Sequence, residues 1–370
     1  MTATSTTPDT RSGAEPVDAA PPSNRSAGGA AAVLRRLWSR PGSRIALLAV
    51  ALMILVAIAA PLLTSLEGQD PDTYHDELLN SATGGSPLGS LGGISAHHWL
   101  GVEPTTGRDL FARLVYGARI SLSVAAGATL GQLALGLLVG LSAGLAGRRL
   151  DALLSRFTDL ALSLPSLFFS IALLAVVPQS FPRPLLLCII LAVFGWAATA
   201  RIVRAETMVL REREYVSAAL LTGASTWWIA RREILPGLVA PVVTYTALAL
   251  PANMVAEAGL SFLGLGVKPP TPSWGQMLSG ATTWFQVDPT YVLIPALTLL
   301  LCVLAFTALG ESLRIALDPK AVRTPKAARA ARLRESGVRL RESGVRLRES
   351  GVRLGESGVR LRKSGKKADR

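Results

Sequence analysis

Six uncharged, mostly apolar blocks dominate this chain, at residues 45–66, 120–147, 160–181, 185–200, 237–256 and 291–310. Most are close to the roughly 20 residues that an α-helix needs to cross about 30 Å of hydrocarbon. A polypeptide in lipid must satisfy its backbone hydrogen bonds internally, so blocks of this length read as spanning helices. Half of the 370 residues are hydrophobic, only 17% are charged and the mean hydropathy is +0.40, which argues against a wholly soluble chain. The expected fold is an all-α integral membrane protein with six transmembrane helices.

Charge placement orients it. Arg35, Arg36, Arg40 and Arg44 precede the first block, and basic flanks stay in the cytoplasm. Threading six spans from there puts Arg148, Arg149, Arg156, Arg201, Arg204, Arg211, Arg213, Arg231 and Arg232 inside. Only Arg108, Arg113, Arg119, Arg183 and Lys268 stay outside. Both termini are therefore expected in the cytoplasm. The net charge of +13 is not a nucleic-acid footprint, because residues 320–370 hold 17 Lys or Arg against five acids, +12 of the total. That tail repeats RLRESGV from Arg332. Leu333 and Val338 do not follow the spacing of a coiled-coil seam, and Gly337, Gly344, Gly351 and Gly358 oppose a helix. The tail reads as low-complexity, with attraction to anionic lipid as the alternative. The first residues, rich in Ala, Ser, Thr, Pro and Gly, read as a disordered tail rather than a secretory signal.

The residue inventory points away from chemistry within the chain. No GxxxxGK[ST] phosphate cradle occurs, and Gly365-Lys366 sits in the basic tail without the loop that would make it one. His97 and His98 are adjacent, so they do not converge on one helix face, and they read as loop residues. Cys188 and Cys302 lie in apolar blocks and read as small hydrophobes. No metal site, cofactor or enzymatic activity is implied. An ion-coupled carrier would carry ionisable groups near mid-membrane, whereas Asp159 and Glu257 stand near block ends, where snorkelling or solvation would account for them. Gln132 and Asn253 are the internal polar residues; they line a pathway or bond helix to helix. Without a gradient-coupling site, the energy for any transport would come from a separate motor.

The largest expected cytoplasmic structure between spans is 201–236. Within it, 211–236 reads REREYVSAALLTGASTWWIARREILP: a short helix at 215–221, Gly223 as a stop or turn, and a second short helix from Thr226 to Ile234 ending at Pro236. Such a compact knob suits docking to a cytoplasmic partner. The alternative is a helix pair resting on lipid headgroups with Trp227 and Trp228 in the interfacial belt.

Ala218-Ala219, then Gly223, then Ile234-Leu235-Pro236 resemble the EAA loop of bacterial ABC importer permeases. WLGVEPTTGRDLFARLVYGARISL (99–122), REREYVSAALLTGAS (211–225), EAGLSFLGLGVKPPTPSWGQML (257–278) and LGESLRIALDP (309–319) resemble, in order, the second permease subunit of the dipeptide/oligopeptide/nickel branch. The likeness runs from about Arg35 to Pro319. Ser217 stands where the loop's usual Glu would be, Glu233 precedes the ILP where another residue is common, and 102–104 depart from the usual stretch before Gly107-Arg108-Asp109.

The resemblance implies a type I ABC importer permease (MetI-like) fold in a bacterial plasma membrane. It implies a second permease subunit, cytoplasmic ABC ATPase subunits that hydrolyse the ATP, and an extracytoplasmic substrate-binding protein, all working in a lipid bilayer. Peptide is the expected cargo, with nickel chelates or other small solutes as the alternative, and an ion-coupled carrier as the rival class. It divides the chain into a tail (1–34), a first span with its basic entry (35–66), an extracytoplasmic loop (67–118), a five-span core (119–319) and a basic tail (320–370). Within the core, 205–236 would be the ATPase-coupling loop, with Tyr215, Ala218, Ala219, Gly223, Ile234, Leu235 and Pro236 as its residues. Pro241, Pro251 and Pro295 would bend helices around the pathway, and 259–266 would lie at the outer surface as a short turn or helix.

Overall fold

Proline sets most of the breaks between helices. The computed structural model describes residues 30–317, so the repeats from Arg332 and all but the end of the first tail lie outside the described residues. Residues 30–34, expected in that tail, instead open helix α1 (Ala30–Trp38), which is tied to the end of the last described helix by Arg36 Nη1 donating to Ala316 O at 2.9 Å. α2 (Pro41–Ile58) has proline in its first turn, where a missing N–H costs nothing. Pro61 then opens a separate helix, α3 (Ala60–Glu67), so the block 45–66 is two helices interrupted at Ala59. α3 stops at Gly68, whose φ of +80° suits glycine.

Residues 67–109 fold over one end of the bundle. A two-residue hairpin pairs β1 (Leu79–Asn80) with β2 (Ser86–Pro87). Asp109 caps α4 (Leu110–Leu145), accepting from Ala112 N at 2.7 Å. At 36 residues, α4 is about 54 Å long, enough to cross the bilayer and project beyond it. It packs along α7 (Arg183–Arg211) through Gly131, Gly136, Gly140 and Gly144. A Cβ at any of these would overlap Ala192, Thr199, Ala200, Val203 or Thr207 of α7, so small residues set the close approach of the axes.

The expected third span, 160–181, is not a straight helix. α5 (Arg148–Ser163) and α6 (Ser166–Val176) meet at Leu164 and Pro165 with a bend of 78°. Pro165 removes a helical donor and holds Leu164 extended, at ψ 131°. Among the described residues five helices are long and apolar enough to cross a membrane, six if the bent pair counts as one span. The fourth expected span, 185–200, extends to Arg211 within α7.

After α7 come α8 (Glu214–Leu221) and α9 (Thr226–Ile229). Pro236 was expected to end the second short helix, but the helical run continues through it into α10 (Leu235–Phe262). A widened π turn at Ala230–Ile234 makes this feasible, with Leu235 N bonded back to Ala230 O. The extra residue in the turn makes room for Pro236, which has no N–H to donate and whose ring would otherwise press on the preceding carbonyl. Pro241 and Pro251 lie inside α10, and Pro295 inside α12 (Pro289–Leu317).

Residues 259–266 were expected as a short outer turn or helix; 259–262 form the last turn of α10, and the chain then turns at Gly264, with φ +74°. A short buried helix, α11 (Trp274–Ala281), follows and packs against α4, α10 and α12. Leu110, Ala118, Met254, Trp274, Met277 and Tyr291 form the core there. Trp274 Nε1 donates to Leu114 O at 3.0 Å, and Trp274 N to Ser121 Oγ at 3.3 Å.

Candidate functional site

The segment from α8 to the start of α10 is a compact turn with a buried side and an exposed apolar tip. α8 ends in a Schellman motif: Ala224 N bonds Ala219 O and Gly223 N bonds Leu220 O, both at 3.0 Å. Gly223 has φ +82°, a left-handed conformation that glycine adopts without strain. Ser225 starts α9 as its N-cap, accepting from Trp228 N at 3.3 Å.

Of the seven residues expected to carry the turn, Tyr215, Ala219 and Ile234 face inward. They join a cluster with Val203, Val216, Ile229, Leu238 and the α4 leucines Leu137, Leu141 and Leu145. Ala218, Gly223, Leu235 and Pro236 are exposed. The turn is thereby fixed to α4, α7 and α10, so a push on its tip is delivered to three helices. The tip shows Leu220, Leu221, Trp227 and Trp228, with Leu221 90% exposed and Trp227 73%. Apolar side chains exposed together on such a turn make it a candidate contact surface.

The internal polar residues form a connected set. Gln132 of α4 and Asn253 of α10 exchange amide hydrogen bonds of 2.9 and 3.1 Å. Gln132 Nε2 also donates to Leu191 O of α7, at 2.9 Å, and Asn253 Nδ2 to Thr129 Oγ1, at 2.8 Å. These amides thus bond helix to helix, and both also border a cavity of about 310 Å³. Glu257 departs from the expectation of snorkelling: it is fully buried. Its Oε1 accepts from Ser261 Oγ at 2.8 Å, with the Ser121 and Ser273 hydroxyls nearby. Tertiary packing of α11 and the loop before it over the end of α10 closes this position, which distance from the block's end does not reveal. Asp159 is exposed and paired with Arg201 at 2.8 Å.

Sequence reasoning missed an ionic network at the other end of the molecule. Glu103, 1% exposed, accepts from Arg113 Nε at 2.6 Å and from Arg108 Nε at 3.0 Å. Arg113, at 0% exposure, also donates to Pro71 O, Pro270 O and Gln276 Oε1. One guanidinium therefore ties α4 to the 67–109 segment, the loop after α10 and α11. His98 lies in a loop, as expected, but is buried there, with Nδ1 2.8 Å from Asp109 Oδ2. The available signal was the pair Arg108 and Arg113, close in sequence to Glu103, on the side predicted to be poor in basic residues.

Glu67 belongs to the same end. It accepts from Trp99 N at 2.8 Å, and burial pushes its carboxyl up from 4.5 to about 7, the Asp109 charge adding to the rise. Between those values the folded chain holds a proton that the unfolded chain has released, so stability falls as pH rises through that window. Glu67→Gln keeps the acceptor for Trp99 and removes the charge. The variant should melt above the parent at pH 8 and level with it at pH 4; equal pH slopes in the two proteins would contradict this assignment.

Residues 136–323 match the family described as "Binding-protein-dependent transport system inner membrane component". The chain is 38% identical to the dipeptide transport system permease protein DppC of Alkalihalophilus pseudofirmus, over 75% of this chain and 85% of that protein. It is 35% identical to the glutathione transport system permease protein GsiD of Pectobacterium atrosepticum, covering 77% and 91%. The di/tripeptide transport system permease protein DppC of Pseudomonas aeruginosa is also 35% identical, with 78% and 92% covered. Among solved structures, the MetNI methionine ABC transporter in inward-facing conformations matches 56% of this chain and 96% of that one, at 19% identity and a TM-score of 0.46.

Proposed function

Because the chain belongs to the family of binding-protein-dependent transport system inner membrane components, we propose that it is the permease subunit of a bacterial ATP-driven peptide importer. Its relatives carry dipeptides, di- and tripeptides or glutathione by name, and peptide is the cargo proposed for this chain. The fold proposed is that of a type I importer permease with six spans, α5 and α6 together forming the third. Both termini and the α8–α9 turn lie in the cytoplasm of a cell whose plasma membrane holds the subunit.

The observation that carries the proposal is the rigid turn with its apolar tip. The chain has no phosphate cradle of its own, so the work enters from outside. Leu220, Leu221, Trp227 and Trp228 offer the surface on which an ATPase subunit seats. Closure of two ATPase subunits would move the turn, and the cluster beneath it would carry that motion into α4, α7 and α10. A second permease completes the pathway, and a binding protein delivers cargo to the outer side, where Arg113 and Glu103 hold the cap together.

Co-purification from the native membrane tests the assembly. With a tag ahead of Arg35 and mild detergent, a second permease and one or two P-loop ATPases should be retained. A chain recovered alone or with copies of itself, in membranes whose peptide uptake survives ATP depletion, would reject the importer reading.

A further inference from the structure

Three of the cavities that border α7 meet it at successive positions along its length. The outer one, about 380 Å³, is bordered by Arg183 and Lys268. The middle one, about 310 Å³, meets α7 at Leu191, Phe194 and Gly195. The inner one, about 160 Å³, meets it at Ala200, Arg201 and Arg204. At 1.5 Å per residue these positions succeed one another at intervals of about 10–15 Å down a single helix. Leu174, Leu186, Leu187, Ile190, Leu260 and Val267 belong to one buried apolar cluster, with Val267 on the wall of the outer cavity and Leu260 on that of the middle one.

The middle cavity differs from its neighbours in having no ionisable side chain on its wall. Its polar groups are the amides of Gln132 and Asn253, 7% and 6% exposed, and the hydroxyls of Ser166 and Ser170. The two amides are bonded to each other both ways, and a Cβ at Gly195 would overlap the Gln132 amide. The pair thus offers one donor and one acceptor in a fixed place. A third amide can take over one of the two bonds, its N–H and C=O meeting the acceptor and donor so released while the other bond still joins the pair. An ionised group entering here would lose its water without gaining a counter-charge. The cavity opens past Ser166 and Ala252, both exposed.

We propose that the middle cavity is a way station for the peptide backbone within this single subunit, where Gln132 and Asn253 pass one of their two mutual hydrogen bonds to an internal peptide group of the cargo. The inference rests on the peptide-importer reading and adds to it a site and a chemistry. Contact with the backbone alone admits peptides irrespective of side chain. Exchange of equal bonds holds the cargo weakly enough to release it.

The test uses the complete transporter in proteoliposomes, with labelled trialanine as the probe. Gln132→Leu and Asn253→Leu together remove both polar partners and keep a branched apolar side chain at each place. Uptake should fall about tenfold, the effect of losing two neutral hydrogen bonds, at unchanged yield and basal ATP hydrolysis. Ala252→Trp, which fills the cavity from its open side, should lower uptake similarly, and Val255→Trp on the exposed face beside it should not. In a chain with Cys188 and Cys302 replaced by Ser, trialanine should protect Ser170→Cys from N-ethylmaleimide during turnover.

Normal uptake by the double variant and by Ala252→Trp would overturn the way station while leaving the importer standing. Lost uptake without protection at position 170 would assign the amides to helix packing alone and also overturn it. No ATP-dependent trialanine uptake by the unaltered transporter would remove the peptide reading, and the way station with it.

Discussion

A Gly223→Pro subunit should reach the membrane in normal amount and fail to support uptake. The left-handed φ of +82° at this position is closed to proline, whose ring holds φ near −65°. The substitution also deletes the N–H that bonds Leu220 O at 3.0 Å. The Schellman closure of α8 then fails at a cost of about 3 kcal/mol or more, by analogy with proline inside a helix. Leu220 and Leu221 lose their fixed relation to Trp227 and Trp228 beyond the turn. Packing between the spans involves none of these atoms, so the loss should be specific: substrate-stimulated ATP hydrolysis and uptake disappear while the protein level holds. Gly223→Ala separates strain from sterics, because a Cβ there meets nothing within 4 Å. It carries only the left-handed penalty of roughly 1–2 kcal/mol and should keep part of the uptake. Full activity in the proline variant would show that the turn transmits nothing.

The second large effect is expected at the opposite end. Arg113→Leu leaves Glu103 buried with one guanidinium instead of two and frees Pro71 O, Pro270 O and Gln276 Oε1 at once. Removing one partner of a buried charge pair costs about 3–5 kcal/mol, because the remaining charge stays desolvated. Arg113→Lys should rescue little, since an ammonium cannot reproduce the fork that serves acceptors on three segments. The measurement is proteolysis of the purified subunit: cleavage within 67–109 should appear in both variants at temperatures where the parent resists. An intact cap in Arg113→Leu would show that the network adds little to the hold of the outer segments.

Local chemistry made the turn legible before the structure. Gly223 follows a short run of helix formers and stands where a helix must stop, and Ser225 is a natural cap three residues before Trp228. The spans α2, α4, α7, α10 and α12 were readable from apolar length. Hydropathy did not reveal the bend between α5 and α6, because Leu164 and Pro165 are as apolar as the helices they separate. Nor did it reveal the run through Pro236, which depends on a π turn that no composition announces. α11 escaped because eight residues make no periodic signal, and it owes its burial to α4, α10 and α12. The Gln132–Asn253 pair joins residues 121 apart and Arg113–Gln276 residues 163 apart. Gln132 and Asn253 were visible in the sequence as polar groups inside apolar blocks and Gln276 was not singled out, while both pairings belong to the fold.

The most direct test of the central claim is a cross-link at the tip of the turn. Leu221→Cys is 90% exposed at the parent position, and the native Cys188 and Cys302 lie within spans. In native membranes, a short bifunctional reagent should join position 221 to an ATPase subunit, identified by mass, and the adduct should change in yield with ATP. A cysteine at 221 that labels freely with a water-soluble maleimide yet joins no ATPase in any nucleotide state would contradict the account.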